Sequence, residues 1–294
     1  VGPGWTRSAA RRLTAGLAVL LFIPAGILGV ATSDAAEHSP SVYAGKTETL
    51  DLDLNYFKGY LSDAGAIITS PLSWGGSEWL KFSAVVAATY MASSEEDDLQ
   101  TWVQGRRSDD TNMVSQYAGP LGSGKYVLPA LIGLYGCGRI AGRQRMTRTA
   151  LLSLESVVLS GVFTNTLKYL THKQRPSPSI TEDIPWNGPG LSSAHLSFPS
   201  GHSTCGFAVA TVVAMEYADH SLVPPLAYCA ATLGALSRVN DNAHWMSDII
   251  LGSAIGHFTA KAIVGRHGGG ASSRVSLVPA TRGGGLSLAL CCRF

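Results

Sequence analysis

His244 and Asp248 stand four residues apart, shortly after Ser237 and Arg238. If a helix starts by His244, this spacing puts imidazole and carboxylate on one face. A carboxylate that accepts from one ring nitrogen fixes the tautomer and leaves the other nitrogen free to attack an electrophile. A second segment, Pro199-Ser200-Gly201-His202, forms a tight turn that opens an apolar helix. Glycine lets backbone approach a ligand closely, and the first amides of a helix bind anions. Ser200 adds a hydroxyl and His202 a group that exchanges a proton near neutrality. In a third segment, Lys168 and Arg175-Pro176 put two cations at the C-terminal end of a helix. Each segment has a plain structural reading when taken singly: a surface pair, an N-cap, a helix stop. Together they supply three cations, an amide cradle, two histidines and one orienting carboxylate, a set suited to holding and transferring a phosphoryl group, whose spread charge is stabilised mainly by electrostatics.

The three segments resemble the signature motifs of the type 2 phosphatidic acid phosphatase superfamily, which also includes class A acid phosphatases and vanadium haloperoxidases. The family pattern is Lys-x6-Arg-Pro, Pro-Ser-Gly-His and Ser-Arg-x5-His-x3-Asp. Every fixed position is filled, in order, between Lys168 and Asp248. The resemblance implies that His244 is the nucleophile and forms a phosphohistidine, that Asp248 orients it, and that His202 protonates the leaving alkoxide. Lys168, Arg175, Ser200, Gly201 and Arg238 would then bind the phosphate. It implies no cofactor and no metal. The substrate expected is a phosphorylated small molecule or a lipid phosphate or diphosphate. A vanadium-dependent haloperoxidase and a non-catalytic envelope protein are the alternative readings. Outside the motif core, residues 37 to 120 match no specified motif. His172, Lys173 and Asp241 occupy variable motif positions and are expected in solvated loops, His195 could line the entrance, and Trp245 is expected to pack beside the nucleophile.

The elements needed to bring these segments together are helices. Apolar stretches and breakers predict helices at about 77–94, 98–104, 126–141, 147–170, 202–218, 222–236 and 244–264. The region before about Tyr60 reads as an arm or a short first helix. The acidic run Glu95 to Asp98 is expected to cap the next helix by opposing its dipole. A long irregular segment from Arg175 to Pro199 carries five prolines. The fold class expected is therefore all-α, a helical bundle of the acid phosphatase/vanadium haloperoxidase type. The Gly- and Ser-rich tail, residues 271–294, ends in an alternating Leu286 to Leu290 stretch that predicts a short strand or hairpin.

Composition limits the surroundings. Charged residues are 14% against the usual quarter or so, and hydrophobic residues 46%, which favours a buried bundle or a membrane. The formal net charge of +2 and the lack of a basic stripe set nucleic acid aside. Arg7, Arg11 and Arg12 precede an apolar run ending in small residues, the form of a secretory signal over residues 1–36, leaving residues 37–270 as one helical domain. Without that segment basic and acidic residues balance. Most later uncharged runs fall short of the roughly 18 residues a spanning helix needs, and the mean hydropathy is only +0.16. A bundle exported to the periplasm or envelope is thus expected, with an integral membrane protein as the alternative. Oligomeric state is left open. Cys137, Cys205 and Cys229 read as buried free thiols.

Overall fold

The computed structural model describes residues 50, 52–176, 186, 188–190, 195–268, 274–282 and 285–293, the last two stretches by backbone alone. The segment read as a signal lies outside these residues. Nine α-helices occur among the described residues: α1 (Leu54–Thr69), α2 (Gly76–Ser94), α3 (Glu96–Gln104), α4 (Asp109–Ala118), α5 (Gly124–Ile140), α6 (Gln144–Thr171), α7 (Gly201–Glu216), α8 (Val223–Asn240) and α9 (Met246–His267). Short 3-10 turns at Ser70–Ser73 and Gly119–Gly122 follow α1 and α4. The chain closes with an antiparallel hairpin of β1 (Arg274–Arg282) and β2 (Gly285–Arg293), in which Leu277 pairs with Leu290.

Side-chain caps explain several starts. Asp53 Oδ1 accepts from the Tyr56 amide at 2.8 Å to begin α1, and Ser108 Oγ accepts from the Thr111 amide at 3.3 Å to begin α4. The expected helices all form, with ends shifted by a few residues. Helix α4 is an addition: its run of polar residues hides a helix that the Ser108 cap and tertiary contacts support.

Helix α7 is the centre of the bundle, buried along most of its length, with α6, α8 and α9 packed around it. On one side Phe207, Ala210 and Ala214 of α7 meet Tyr228, Ala231 and Ala235 of α8 and Ile249 and Ile250 of α9. On the other, Ala208 and Val212 meet Leu152 and Leu159 of α6 and Ile263 of α9. The small residues let helix backbones approach closely. A Cβ at Gly252 of α9 would lie 2.5 Å from the Ser200 carbonyl oxygen, so only glycine allows α9 this near to the turn that opens α7.

Helix α1 is fastened to the bundle by charge. Asp63 accepts from Arg266 Nε at 2.5 Å and from His267 Nε2 at 2.9 Å, and Glu155 of α6 lies 3.4 Å from the same His267 nitrogen. Hydrogen bonds to Asp63 and Glu155 push His267 up to about 9, so it is cationic at neutral pH, while burial raises Glu155.

The outer surface is unusually apolar. Leu72, Leu80, Tyr90, Ile132, Ile140 and Leu226 are all exposed. Among the described residues one helix, α6, is long and apolar enough to cross a membrane, and half of that stretch is buried inside the bundle. The three described cysteines are free, but only Cys205 is buried; Cys137 and Cys229 face outward on α5 and α8, because the apolar neighbours that suggested burial lie on the exposed side of the bundle.

Candidate active site

The α8–α9 turn, the residues leading into α7 and the end of α6 converge on one cluster of polar side chains. Helix α9 starts at Met246, so His244 stands just before the helix and not in its first turn. The reason is local: Asp248 accepts from the Trp245 amide at 3.0 Å and caps the helix there. His244 nevertheless meets Asp248, with Nδ1 3.2 Å from Oδ2. An ionised carboxylate only accepts, so Nδ1 carries the proton and Nε2 keeps its lone pair. Burial lowers the His244 pKa, which keeps the ring neutral and nucleophilic even though Asp248 pulls the other way.

Asp248 is wholly buried. Burial alone would raise its pKa, but the hydrogen bond from His244, the charge of Lys173 and the Ser197 hydroxyl hold it at about 2. Its Oδ2 accepts from Ser197 Oγ, and its Oδ1 accepts from Lys173 Nζ at 3.0 Å. The backbone joins the same node, since the Ser200 amide donates to the Asp248 carbonyl at 2.9 Å. The turn that opens α7 is thereby tied directly to the first turn of α9.

At that turn Ser200 is the N-cap of α7, and its Oγ accepts from the Ser203 amide at 3.4 Å. A Cβ added to Gly201 would meet nothing within 4 Å, so the amide cradle has free space in front of it. Lys168 Nζ donates to the carbonyls of Leu196 at 2.7 Å and Ser197 at 3.1 Å. Burial and the charge of Arg175 bring Lys168 down to about 8 despite Asp248. Arg175 reaches the Ala243 carbonyl at 3.0 Å, next to His244. Arg238, at the end of α8, is held by Asp241 Oδ2 at 2.5 Å and by Ser237 Oγ at 3.1 Å. His202 feels all of these: burial first, then Arg238, His244, Arg175 and Lys168, take its pKa down to about 4. The structure thus groups Lys168, Arg175, His202, Arg238, His244 and Asp248 through their charges, with Ser200 and Gly201 at the turn that is tied to Asp248.

Three expectations are corrected. Lys173 is not solvated; it has no exposed surface and sits behind Asp248. Asp241 is not an idle loop acid, because it positions Arg238 and accepts from Ser115 Oγ at 2.6 Å. His172 is buried at the left-handed C-cap of α6, where it packs edge-on against His195 with ring centres 4.8 Å apart. Trp245 does pack, donating from Nε1 to the Gln174 carbonyl at 2.8 Å. Sequence reasoning missed Glu96, Ser197 and Ser247. Glu96 heads α3 as an acid in its first turn, yet it also reaches 2.5 Å from Lys173 Nζ, a contact no spacing rule announces.

A buried histidine–aspartate pair close to three cations and a helix N-terminus, all carried by an α-helical bundle, is an arrangement chemically suited to an anion. Residues 149–268, which contain all three motifs, match the family model described as the PAP2 superfamily. Curated relatives include a "Lipid A 1-phosphatase" of Porphyromonas gingivalis, 40% identical over 65 residues, which is 22% of this chain and 15% of the relative. A second "Lipid A 1-phosphatase", of Rhizobium johnstonii, is 35% identical over 105 residues, 34% of this chain and 41% of the relative. The chain thus spans less than half the length of these two relatives. Similar solved structures include Aquifex aeolicus LpxE, with a TM-score of 0.45 and 20% identity over 57% of this chain and 94% of that one. Another is a transmembrane PAP2 type phosphatidylglycerolphosphate phosphatase from Bacillus subtilis, with a TM-score of 0.46 and 20% identity over 72% of this chain and 94% of that one.

Proposed function

We propose that this protein is a phosphohydrolase that removes phosphate from lipid phosphates at a membrane surface, through a phosphohistidine on His244. The observation that carries the reading is the His244–Asp248 pair, fixed as the Nδ1–H tautomer, beside a cluster of Lys168, Arg175 and Arg238. The names of the two curated relatives support the lipid phosphate as substrate class. The many exposed apolar side chains of the outer helices support work at a membrane.

In the first step the His244 Nε2 lone pair forms a bond to phosphorus while the bond from phosphorus to the ester oxygen breaks. The leaving oxygen takes a proton from His202. Lys168, Arg175, Arg238 and the first amides of α7 neutralise the three equatorial oxygens as charge spreads onto them. Asp248 stabilises the imidazolium character that His244 gains as the bond forms. In the second step His202, now neutral, accepts a proton from water. The oxygen of that water bonds to phosphorus, the nitrogen–phosphorus bond breaks, and inorganic phosphate leaves with His244 restored.

The test uses the purified full chain in detergent micelles, offered phosphatidate and p-nitrophenyl phosphate in parallel. Phosphate release faster from the lipid, and lost by about a thousandfold or more in His244→Ala, is the expected outcome. No phosphate from either substrate would overturn the phosphohydrolase reading, and equal rates would overturn the preference for lipid. Acid-quenched protein should retain labelled phosphate only when His244 is present; labelling of His244→Ala would move the nucleophile elsewhere.

A further inference from the structure

Lys173 is a buried cation with no exposed surface at all. Its ammonium group has three N–H donors, and three acceptors face it: Glu96 Oε1 at 2.5 Å, Ser247 Oγ at 2.9 Å and Asp248 Oδ1 at 3.0 Å. Aromatic rings close the remaining space, with Nζ 4.9 Å from the Trp186 ring centre, 5.4 Å from that of Phe198 and 5.7 Å from that of Trp245. Burying an ammonium costs several kcal/mol unless its charge and all its donors are met. Here they are met by groups drawn from three separate places in the chain, α3, the α6–α7 connection and α9.

The consequence falls on Asp248. Its two oxygens have different partners: Oδ2 faces His244, Ser197 and the Trp245 amide, whereas Oδ1 faces Lys173. A carboxylate held at one oxygen cannot turn the other away from His244. Glu96 and Ser247 hold Lys173 in turn, and Ser247 Oγ also donates to Glu96.

We infer that Lys173, anchored by Glu96 and Ser247, is a positioning residue of the His244–Asp248 pair, clamping Asp248 Oδ1 so that Oδ2 stays on the His244 Nδ1–H. This inference rests on the phosphohydrolase reading for its kinetic effect but not for its geometry. It gives the N-terminal helices a part in the chemistry, because Glu96 lies on α3, outside every motif and outside the family-matched stretch.

The charged and titratable groups facing the pair are Glu96 from α3, Lys168 from α6, Lys173 and Arg175 from the segment after it, and His202 from α7. Arg238 from α8 acts on the same cluster through His202. Of these, Lys173 is the one that touches Asp248 without sharing the phosphate site. In Lys173→Met, kcat should fall by about 10- to 100-fold, as expected when a supporting group of a reacting residue is lost. KM should stay within about threefold, since the phosphate-binding cations are untouched. The acid limb of the kcat profile should move to higher pH, because Asp248 and His244 both lose a neighbouring positive charge.

Lys173→Met leaves Glu96 unpaired, so the double variant Lys173→Met with Glu96→Gln separates folding from function. It should melt close to the wild type yet keep the lowered kcat and the displaced limb. Lys173→Arg should restore part of kcat. Independently of turnover, nitrogen-detected NMR of the histidine rings in the full chain should show His244 titrating at higher pH in Lys173→Met than in the wild type. Wild-type kcat and an unmoved acid limb in a folded double variant would overturn the clamp. So would an unchanged His244 titration. A wild-type protein without phosphatase activity would instead overturn the function, leaving the NMR comparison to decide the clamp.

Discussion

Gly252→Ala places a single methyl where α9 crosses the turn that opens α7. The added carbon would stand 2.5 Å from the Ser200 carbonyl oxygen and 3.2 Å from its amide nitrogen, against the 3.4 Å at which ordinary contact begins. The obstacle is backbone on both sides, so the overlap of about 0.9 Å is relieved only by moving Ser200 or α9. Overpacking of this size typically costs about 1–3 kcal/mol of stability. The catalytic cost is larger. Ser200 caps α7 and donates its amide to the Asp248 carbonyl, so a displacement there separates the turn that opens α7, the proposed phosphate cradle, from the His244 pair. A misplacement near 1 Å lowers rate by about 100-fold. The assay is phosphate release at 25 °C alongside a thermal melt, with Gly265→Ala as control. A Cβ at Gly265 meets nothing within 4 Å and the residue is exposed in α9, so that change should leave activity alone and add about 0.5–1 kcal/mol. A folded Gly252→Ala protein with kcat/KM within threefold of wild type would refute the claim that this crossing sets the site geometry.

Lys168 sits near 8, so KM for a phosphate ester should climb as pH rises through about 8, and initial-rate profiles of Lys168→Met should show a high KM with no such limb. Ser115→Ala removes the 2.6 Å bond to Asp241 and the 3.0 Å bond to the Ser237 carbonyl; losing a buried hydrogen bond of about 1 kcal/mol should loosen Arg238 and raise KM about fivefold in steady-state assays. The Asp63–Glu155–His267 lock carries a pH signature in stability. His267 is raised from its ordinary 6.5 to about 9, so its contribution is complete below 6.5 and disappears as pH rises through about 9. Asp63 is held at about 2, so its contribution is present above about 3.8 and disappears as pH falls through about 2. Melting temperatures should therefore fall between pH 7 and 9.5, and His267→Ala should flatten that slope.

The grouping of the candidate site was legible in the sequence where chemistry fixes both residue type and spacing. His244 and Asp248 must be four apart to meet across the start of α9, and the cradle needs a small residue beside a capping hydroxyl, which Ser200 and Gly201 supply. The helices were legible from breakers and apolar runs because a buried centre such as α7 tolerates few charges. Burial of a particular charge was not legible. Lys173 looks like a solvated lysine because its partner Glu96 lies 77 residues earlier, and only the packing of α3 beside the start of α9 makes that pair. Asp241 likewise gains its role from Ser115 on α4, a helix whose polar sequence gave no apolar period to read. His244 fell outside the expected helix because the same Asp248 that orients it also caps α9 at Trp245.

One apparent conflict is resolved by the charge of the substrate. In the proposed reaction, protonating a leaving alkoxide requires a protonated His202, yet burial and four nearby groups hold that residue at about 4, so it is neutral in the free protein near pH 7. Raising it to the working range takes about 3 units, or about 4 kcal/mol. A phosphate dianion about 6 Å away, at an effective dielectric of about 20, supplies about 5 kcal/mol of attraction for the imidazolium. It also neutralises Arg238, Arg175 and Lys168, the cations that depress His202 in its absence. The same cluster therefore sets two protonation states in succession. Without an anion it keeps both histidines neutral, which preserves the Nε2 lone pair of His244. In the proposed mechanism, a bound anion would draw a proton to His202, where the departing oxygen needs it, while Asp248 would hold His244 in its attacking form.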